Sequence, residues 1–262
     1  MMKTLLKVAV TIFLFSASTY AQNEMLPANL SHCGTVDIEQ AIDGQTLTTV
    51  DGRKIKLAGV KAPELWPEGA SYQSWPHAEQ SRKTLNVLAA GKTLELFCDN
   101  EKSDYTGQQV AHIKLVNGEW LQHIMVAAGD LYVFPRRNNT AGIKSLYEAE
   151  RIARKDNRGL WAQNQATITT VDGDVRTGWF QIISGKVLSA KSVRKTIFLN
   201  FGENWRTDFT VEISPKVVTA FKKTAIDPLL FNGKTIEVRG WITWKGGPHI
   251  MLEGPGQIQL LE

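Results

Sequence analysis

Residues 41–64 read AIDGQTLTTVDGRKIKLAGVKAPE, and this stretch decides how the first half of the chain folds. Asp43-Gly44-Gln45-Thr46 closes one strand and opens the next. Val50-Asp51-Gly52-Arg53 is a tight turn, because Asp-Gly tolerates the positive φ of a two-residue hairpin. The segment Ile55-Lys56-Leu57-Ala58-Gly59-Val60 then runs as a strand and delivers Lys61 and Glu64 to one edge.

Phosphodiester cleavage by a metal-dependent site needs a hard cation held by carboxylates, a general base and cationic donors for the phosphoryl oxygens. The stretch resembles that of the thermonuclease family, the staphylococcal-nuclease-like domains. The similarity continues through Ser103-Asp104-Tyr105-Thr106-Gly107-Gln108, Asn117-Gly118-Glu119-Trp120-Leu121, Leu131-Tyr132-Val133-Phe134 and Tyr147 to Trp161, roughly residues 33–162. The resemblance implies a five-stranded OB-type barrel with three helices, which in active members cleaves DNA and RNA with calcium. Carried over position by position, it puts Gln45 and Lys61 where the family has its metal-binding aspartates. It puts Lys56 and Gln108 at the two arginine positions and keeps only Glu64, the catalytic glutamate. A lysine ammonium can neutralise a neighbouring carboxylate there, but it cannot polarise water or bridge phosphate and nucleophile. Lys56 retains a point charge without the arginine fork. The expectation is a degenerate site with no metal and no cofactor. The alternative is weak hydrolysis with Glu64 as general base and calcium held through Asp43, Glu64 or Asp104.

The N-terminus reads as a signal peptide. Basic residues through Lys7 precede the apolar run Val8 to Phe15, and Thr19-Tyr20-Ala21 offers small residues for cleavage after Ala21. The apolar run is too short for a span, so the mature chain is expected to have none and to be exported, periplasmic in a Gram-negative cell and otherwise secreted. Cys33 and Cys98 then lie in an oxidising compartment. In the resembled barrel their strands are neighbours, which suits a disulfide; two separate buried thiols are the other reading. Net charge is +4 and the pI about 9.0, which tolerates anionic partners without requiring them. His77, His112 and His123 have no zinc-like spacing.

Helices are predicted from Ala78 to Ala90, from Trp120 to Ala128 and from a capping box at Ser145 through Arg154. Trp66, Trp75 and Pro76 mark an insertion-like loop able to lie over the former active face. After Trp161 the chain turns polar, and a boundary near residue 164 divides a signal at 1–21 and an OB-fold unit at 22–163 from a second unit at 164–262. Strand patterns at 196–201, 209–213, 234–242, 250–252 and 258–261, around a helix opened by Ser214-Pro215, suggest a second OB-like barrel. The fold class expected is thus mainly β with short helices: two tandem small β-barrels.

Functionally this suggests a binding module for nucleic acid, a nucleotide or an envelope protein. In the first unit Lys56, Tyr132, Phe134, Arg136 and Arg137 supply cation and stacking groups; in the second, Trp205, Arg206, Trp244 and Lys245 do. Ordinary core aromatics beside a solvated loop explain the same residues, with Arg206 paired to Asp208 or Glu203. The sequence carries no signal for an oligomeric state.

Overall fold

The computed structural model describes residues 25–136, 139–162, 168–204 and 206–261. The expected signal peptide, the expected boundary near residue 164, Arg137 and Trp205 lie outside the described residues.

Five strands close into a barrel in the order β1-β2-β3-β6-β5: β1 (Ser31–Ala41), β2 (Thr46–Thr49), β3 (Lys54–Leu57), β5 (Thr93–Cys98) and β6 (Gln109–Lys114). All neighbours are antiparallel except β3 and β6. Inward positions alternate as a half-buried strand requires: Leu94, Leu96 and Cys98 of β5 are buried while the residues between them are partly exposed. The Asp51-Gly52 turn places Gly52 at φ 83°, in the region that admits glycine readily. Cys33 and Cys98 form a disulfide between β1 and β5, with Cα atoms 5.8 Å apart.

Three helices cover this barrel: α1 (Ala78–Ala89), α2 (Leu121–Ala128) and α3 (Ile143–Lys155). Helix α3 begins two residues before the predicted capping box. Gly142, in the left-handed region at φ 66°, turns the chain directly into the helix, and Ser145 is inside the first turn rather than capping it. The short strand β4 (Val60–Lys61) leaves β3 and pairs with β7 (Tyr132–Val133), setting Lys61 opposite Tyr132.

The second half does not close into a barrel. One sheet runs β16-β13-β9-β8, from β8 (Ile168–Thr170), β9 (Phe180–Lys186), β13 (Thr235–Trp241) and β16 (Ile258–Leu260). The other runs β10-β11-β12-β15-β14, from β10 (Ser189–Val193), β11 (Thr196–Asn200), β12 (Thr210–Ile213), β14 (Thr243–Trp244) and β15 (Pro248–Met251). The chain turns a corner from β9 to β10 and again from β13 to β14, but the outer strands β8, β14 and β16 are two or three residues long and never pair across the gap. The apolar alternation that suggested a barrel instead packs two open sheets face to face. Ile183, Ile236 and Val238 meet Leu199, Val211 and Ile250, with Phe221 of helix α4 (Pro215–Phe221) in the same core.

A third core joins the halves. Tyr132 and Phe134 of the first pack with Phe180 and Ile182 of the second, closed by Trp161. Beneath it, Arg239 of β13 is fully buried and donates to the carbonyl of Val133 at 2.7 Å and to Glu150 of α3 at 3.0 Å. Arg154 bridges Glu150 at 2.8 Å and Glu237 at 2.7 Å, while Arg239 also bonds Glu237 and lies 4.7 Å over the Tyr147 ring. Two guanidiniums and two carboxylates thus cancel within one buried cluster.

Candidate functional site

The hairpin of β2 and β3 and the turn into β4 bring Gln45, Lys56, Lys61 and Glu64 to one end of the barrel. Lys61 is 6% exposed, and its Nζ donates to Glu64 Oε1 at 2.6 Å and to the carbonyl of Ala62 at 2.7 Å. The same ammonium sits 5.7 Å from the Trp75 ring and 5.6 Å from the Trp241 ring, between an indole of the 64–76 loop and one of the second half. Burial pulls the Lys61 pKa down, opposed by the charge and hydrogen bond of Glu64. The lysine therefore fills the space beside the Glu64 carboxylate, and an ion-paired carboxylate is a poor general base.

The other positions are absorbed into structure. Gln45 Oε1 accepts from the Ala62 amide at 2.8 Å, and the Gln45 amide donates to Asp43 Oδ1 at 2.7 Å. Asp43 thus caps a turn. Asp104 accepts from the amides of Thr106 at 2.9 Å and Gln108 at 3.1 Å, with Lys56 Nζ 3.8 Å from its other oxygen. Burial raises the Asp104 pKa, but its bonds to Thr106 and Gln108 and the Lys56 charge outweigh this and hold it below the ordinary range. Among the described residues no three His, Cys, Asp or Glu side chains gather as a metal site would require. His77 bonds Asp130 at 2.6 Å, and His112 is buried against Trp120.

The expected stacking surface of the first half is not presented to ligand. Tyr132 and Phe134 are 1% and 3% exposed, and their rings pack on Phe180 at 5.8 and 4.9 Å. Basic neighbours in the sequence make these rings resemble ligand aromatics, but the second half buries them. Arg136 pairs with Glu253 at 2.9 Å across the same seam. Lys56, Phe134 and Arg136 do line one small cavity, but its volume of about 50 Å³ holds a few waters and no base or sugar.

Two larger openings lie among the described residues. One, about 840 Å³, lies on the outer face of the β10–β15 sheet, where Lys191, Phe198, Arg206, Lys245 and His249 meet. Two of the predicted surface residues, Arg206 and Lys245, come together there, but Glu212 takes Lys245 at 2.7 Å and His249 at 3.1 Å. Burial raises the Glu212 pKa, yet the bond and charge of Lys245 hold it below the ordinary range. Trp244 is 64% exposed and does not line this opening.

The other, about 870 Å³, is a groove along the seam between the halves, walled by Trp66, Tyr72 and Trp75 from one side and Trp179 and Trp241 from the other, with Glu64 at its base. Tyr72, Trp179 and Trp241 of this groove are not among the residues that the sequence motifs single out. The clustering of Trp66, Tyr72 and Trp75 within ten residues, on a segment without strand or helix pattern, was the signal available.

Residues 54–163 match the family model described as staphylococcal nuclease homologue. Together with the closed five-stranded barrel, this establishes a nuclease-like OB-fold domain in the first half. No curated protein matches the chain.

Proposed function

We propose that this protein is an exported, catalytically degenerate member of the nuclease-like scaffold that acts as a binding module, with a protein of the cell envelope as its ligand. The observation that carries the reading is the Lys61 ammonium, buried and bonded to Glu64 at 2.6 Å on the edge where the scaffold would hold a metal. Export rests on the N-terminal sequence pattern. Two features favour a protein over nucleic acid: the rings at Tyr132 and Phe134 are consumed by the internal seam, and Arg136 is paired. No helix among the described residues is long and apolar enough to cross a membrane.

The test is incubation of the purified protein with DNA and RNA, with calcium and with chelator. No cleavage above background is expected. Calcium-dependent digestion abolished by Glu64→Gln would replace this reading with the enzymatic one. A second ligand reading, single-stranded nucleic acid on the outer face of the β10–β15 sheet, is favoured by the convergence of Lys191, Arg206 and Lys245 around Phe198. It predicts retention of labelled single-stranded DNA that falls steeply with salt.

A further inference from the structure

Positive charge in this molecule is concentrated in two stretches of the second half. Residues 186–195 carry Lys186, Lys191, Arg194 and Lys195 with no acid, and residues 214–235 carry Lys216, Lys222, Lys223 and Lys234 with one, Asp227. The stretches lie against each other. The Val187 amide donates to the Lys234 carbonyl at 2.9 Å, the Gly233 amide to the Val187 carbonyl at 2.8 Å, and the Ala190 amide to Asn232 Oδ1 at 3.2 Å. Together they hold eight cations against one acid, a net +7, while the whole chain sums to +4, so the other residues taken together are net acidic. Each of the eight is exposed, and none is ion-paired among the described residues. The acids nearest in sequence are engaged elsewhere: Glu212 with Lys245 and His249, and buried Glu237 with Arg154 and Arg239.

Four aliphatic side chains stand exposed among these cations. Leu188, Ile226, Leu229 and Leu230 are 49%, 47%, 38% and 71% exposed. A single exposed aliphatic is ordinary, but a group of them inside an unpaired basic surface marks an interaction face. The fold holds them outward. The chain leaves the core at Phe221 and returns at Phe231, whose rings pack 6.4 Å apart, and every residue between them except Pro228 is exposed. On the neighbouring hairpin, Arg194 and Lys195 form the two-residue turn from β10 to β11 at φ 49° and 70°. Such turns favour Asn-Gly, so two cations occupy these positions at a conformational cost.

The composition separates the classes of partner. Single-stranded nucleic acid is held by aromatic platforms among cations, and the two aromatic residues of these stretches, Phe221 and Phe231, are both buried. Protein interfaces are enriched in aromatics, methionine and arginine and depleted in lysine, whereas seven of these eight cations are lysines and the exposed apolar groups are aliphatic. An anionic bilayer surface fits both halves of the pattern. Its headgroups attract the ammonium groups, the flexible lysine stems lie along the boundary, and the aliphatic side chains enter the edge of the acyl region. The same negative surface repels the net-acidic remainder, which orients the molecule with this face toward it.

We propose that the face formed by residues 186–195 and 214–235 binds the surface of an anionic lipid bilayer, with Ile226, Leu229 and Leu230 seated at the headgroup boundary and the lysines around them on the headgroups. The proposal goes beyond the binding-module reading and does not depend on it.

The experiment is co-sedimentation of the purified full chain with phosphatidylcholine vesicles, with and without phosphatidylglycerol, over a range of salt. Binding is expected to be about tenfold or more tighter with phosphatidylglycerol and to weaken as salt rises. One surface cation is worth about fivefold in affinity, so Lys222→Ala/Lys223→Ala should weaken binding about 25-fold. Ile226→Ser/Leu230→Ser should weaken it about fivefold or more on the same vesicles. Thermal melts check that each variant is folded, and Leu230→Ser alone, at the most exposed of the four positions, serves if the pair melts lower. Absence of vesicle binding, equal affinity for both compositions, or indifference to the lysine substitutions overturns the proposal; the last is what attachment through the N-terminal apolar run would give. Indifference to the aliphatic substitutions, with displacement from vesicles by single-stranded DNA, overturns it in favour of a phosphate-binding surface.

Discussion

Replacing Arg239 by methionine tests whether the two halves are joined by charge as well as by rings. The side chain is fully buried and serves three acceptors: the Val133 carbonyl, Glu150 and Glu237. Methionine fills similar volume but leaves two buried carboxylates facing a single guanidinium, that of Arg154. Removing one partner from a buried ion pair costs about 3–5 kcal/mol. Because Arg154 stays bonded to both acids, the lower end applies, about 3 kcal/mol. For a chain of this size 1 kcal/mol moves Tm by roughly 2–4 °C, so the variant should melt roughly 6–12 °C lower at pH 7.

The loss should depend on pH in a defined direction. Burial alone would raise the Glu237 pKa, but Arg239 and Arg154 overcome it and hold the carboxyl below its ordinary range. In the native protein that contribution is fully present above the unfolded pKa of about 4.3 and fades as pH falls through the lower folded value. In the variant burial is no longer opposed by Arg239, so the folded pKa rises and the penalty is greatest where the acid is ionised. The gap between native and variant Tm should therefore be widest near pH 7 and narrow toward pH 4. Circular dichroism and tryptophan fluorescence melts at both pH values provide the assay. A deficit under about 1 kcal/mol at pH 7, or one that does not shrink in acid, would refute the reasoning.

Three further outcomes follow from single features. Cys33 and Cys98 close a loop of sequence separation 65, for which the chain-entropy relation gives about 4 kcal/mol; denaturant unfolding of Cys33→Ser/Cys98→Ser should show a loss of that order. His112 is buried with neither ring nitrogen bonded to protein, and burial lowers its pKa to about 4, Asp99 opposing weakly. The folded state thus resists protonation that the unfolded chain accepts, so stability should fall by about 3 kcal/mol between pH about 6.5 and about 4, and His112→Phe should flatten that slope in urea titrations. At Gly129, φ is 78° and an added Cβ would lie 2.3 Å from the Arg158 carbonyl oxygen; Gly129→Ala should cost about 2 kcal/mol or more, read as a lower thermal midpoint.

Local chemistry in this sequence was legible; what depends on distant partners was not. The Asp51-Gly52 turn and the helical runs ending at Ala89 and Ala128 each follow from a few consecutive residues, whereas the five-stranded barrel was implied by the family resemblance. Lys61 and Glu64 were legible as a pair because they stand only three positions apart. The failures share one origin. Tyr132-Val133-Phe134 followed by Pro135-Arg136 reads locally as rings beside cations, and only the packing of Phe180 and the reach of Glu253 turn them inward. Likewise, alternation in β11 and β12 specifies which face is buried but not whether edge strands meet, and the brevity of β8 and β14 leaves two open sheets. Arg239 reads as a strand residue between valine and glycine, with nothing nearby to announce that Glu150 of α3 and the Val133 carbonyl of β7 are among its partners.

The position of the second half explains why a lysine and a glutamine, rather than carboxylates, suit this end of the barrel. A cation site that turns over substrate needs open coordination positions and water. Here Trp241 of β13 reaches across the seam to the Lys61 ammonium, while Trp75 comes from the opposite loop, so that end of the barrel is enclosed by rings. Aspartates at Gln45 and Lys61 beside Glu64 would place three like charges under that cover with no cation to hold them apart from a bound metal. Glutamine and lysine remove the problem: the amide oxygen takes the Ala62 N–H, and the ammonium neutralises Glu64 from within. The Lys61–Glu64 pair and the indoles of Trp75 and Trp241 are consequently one packed unit, and the exposed surface at that end of the barrel is the aromatic groove rather than the Glu64 carboxylate.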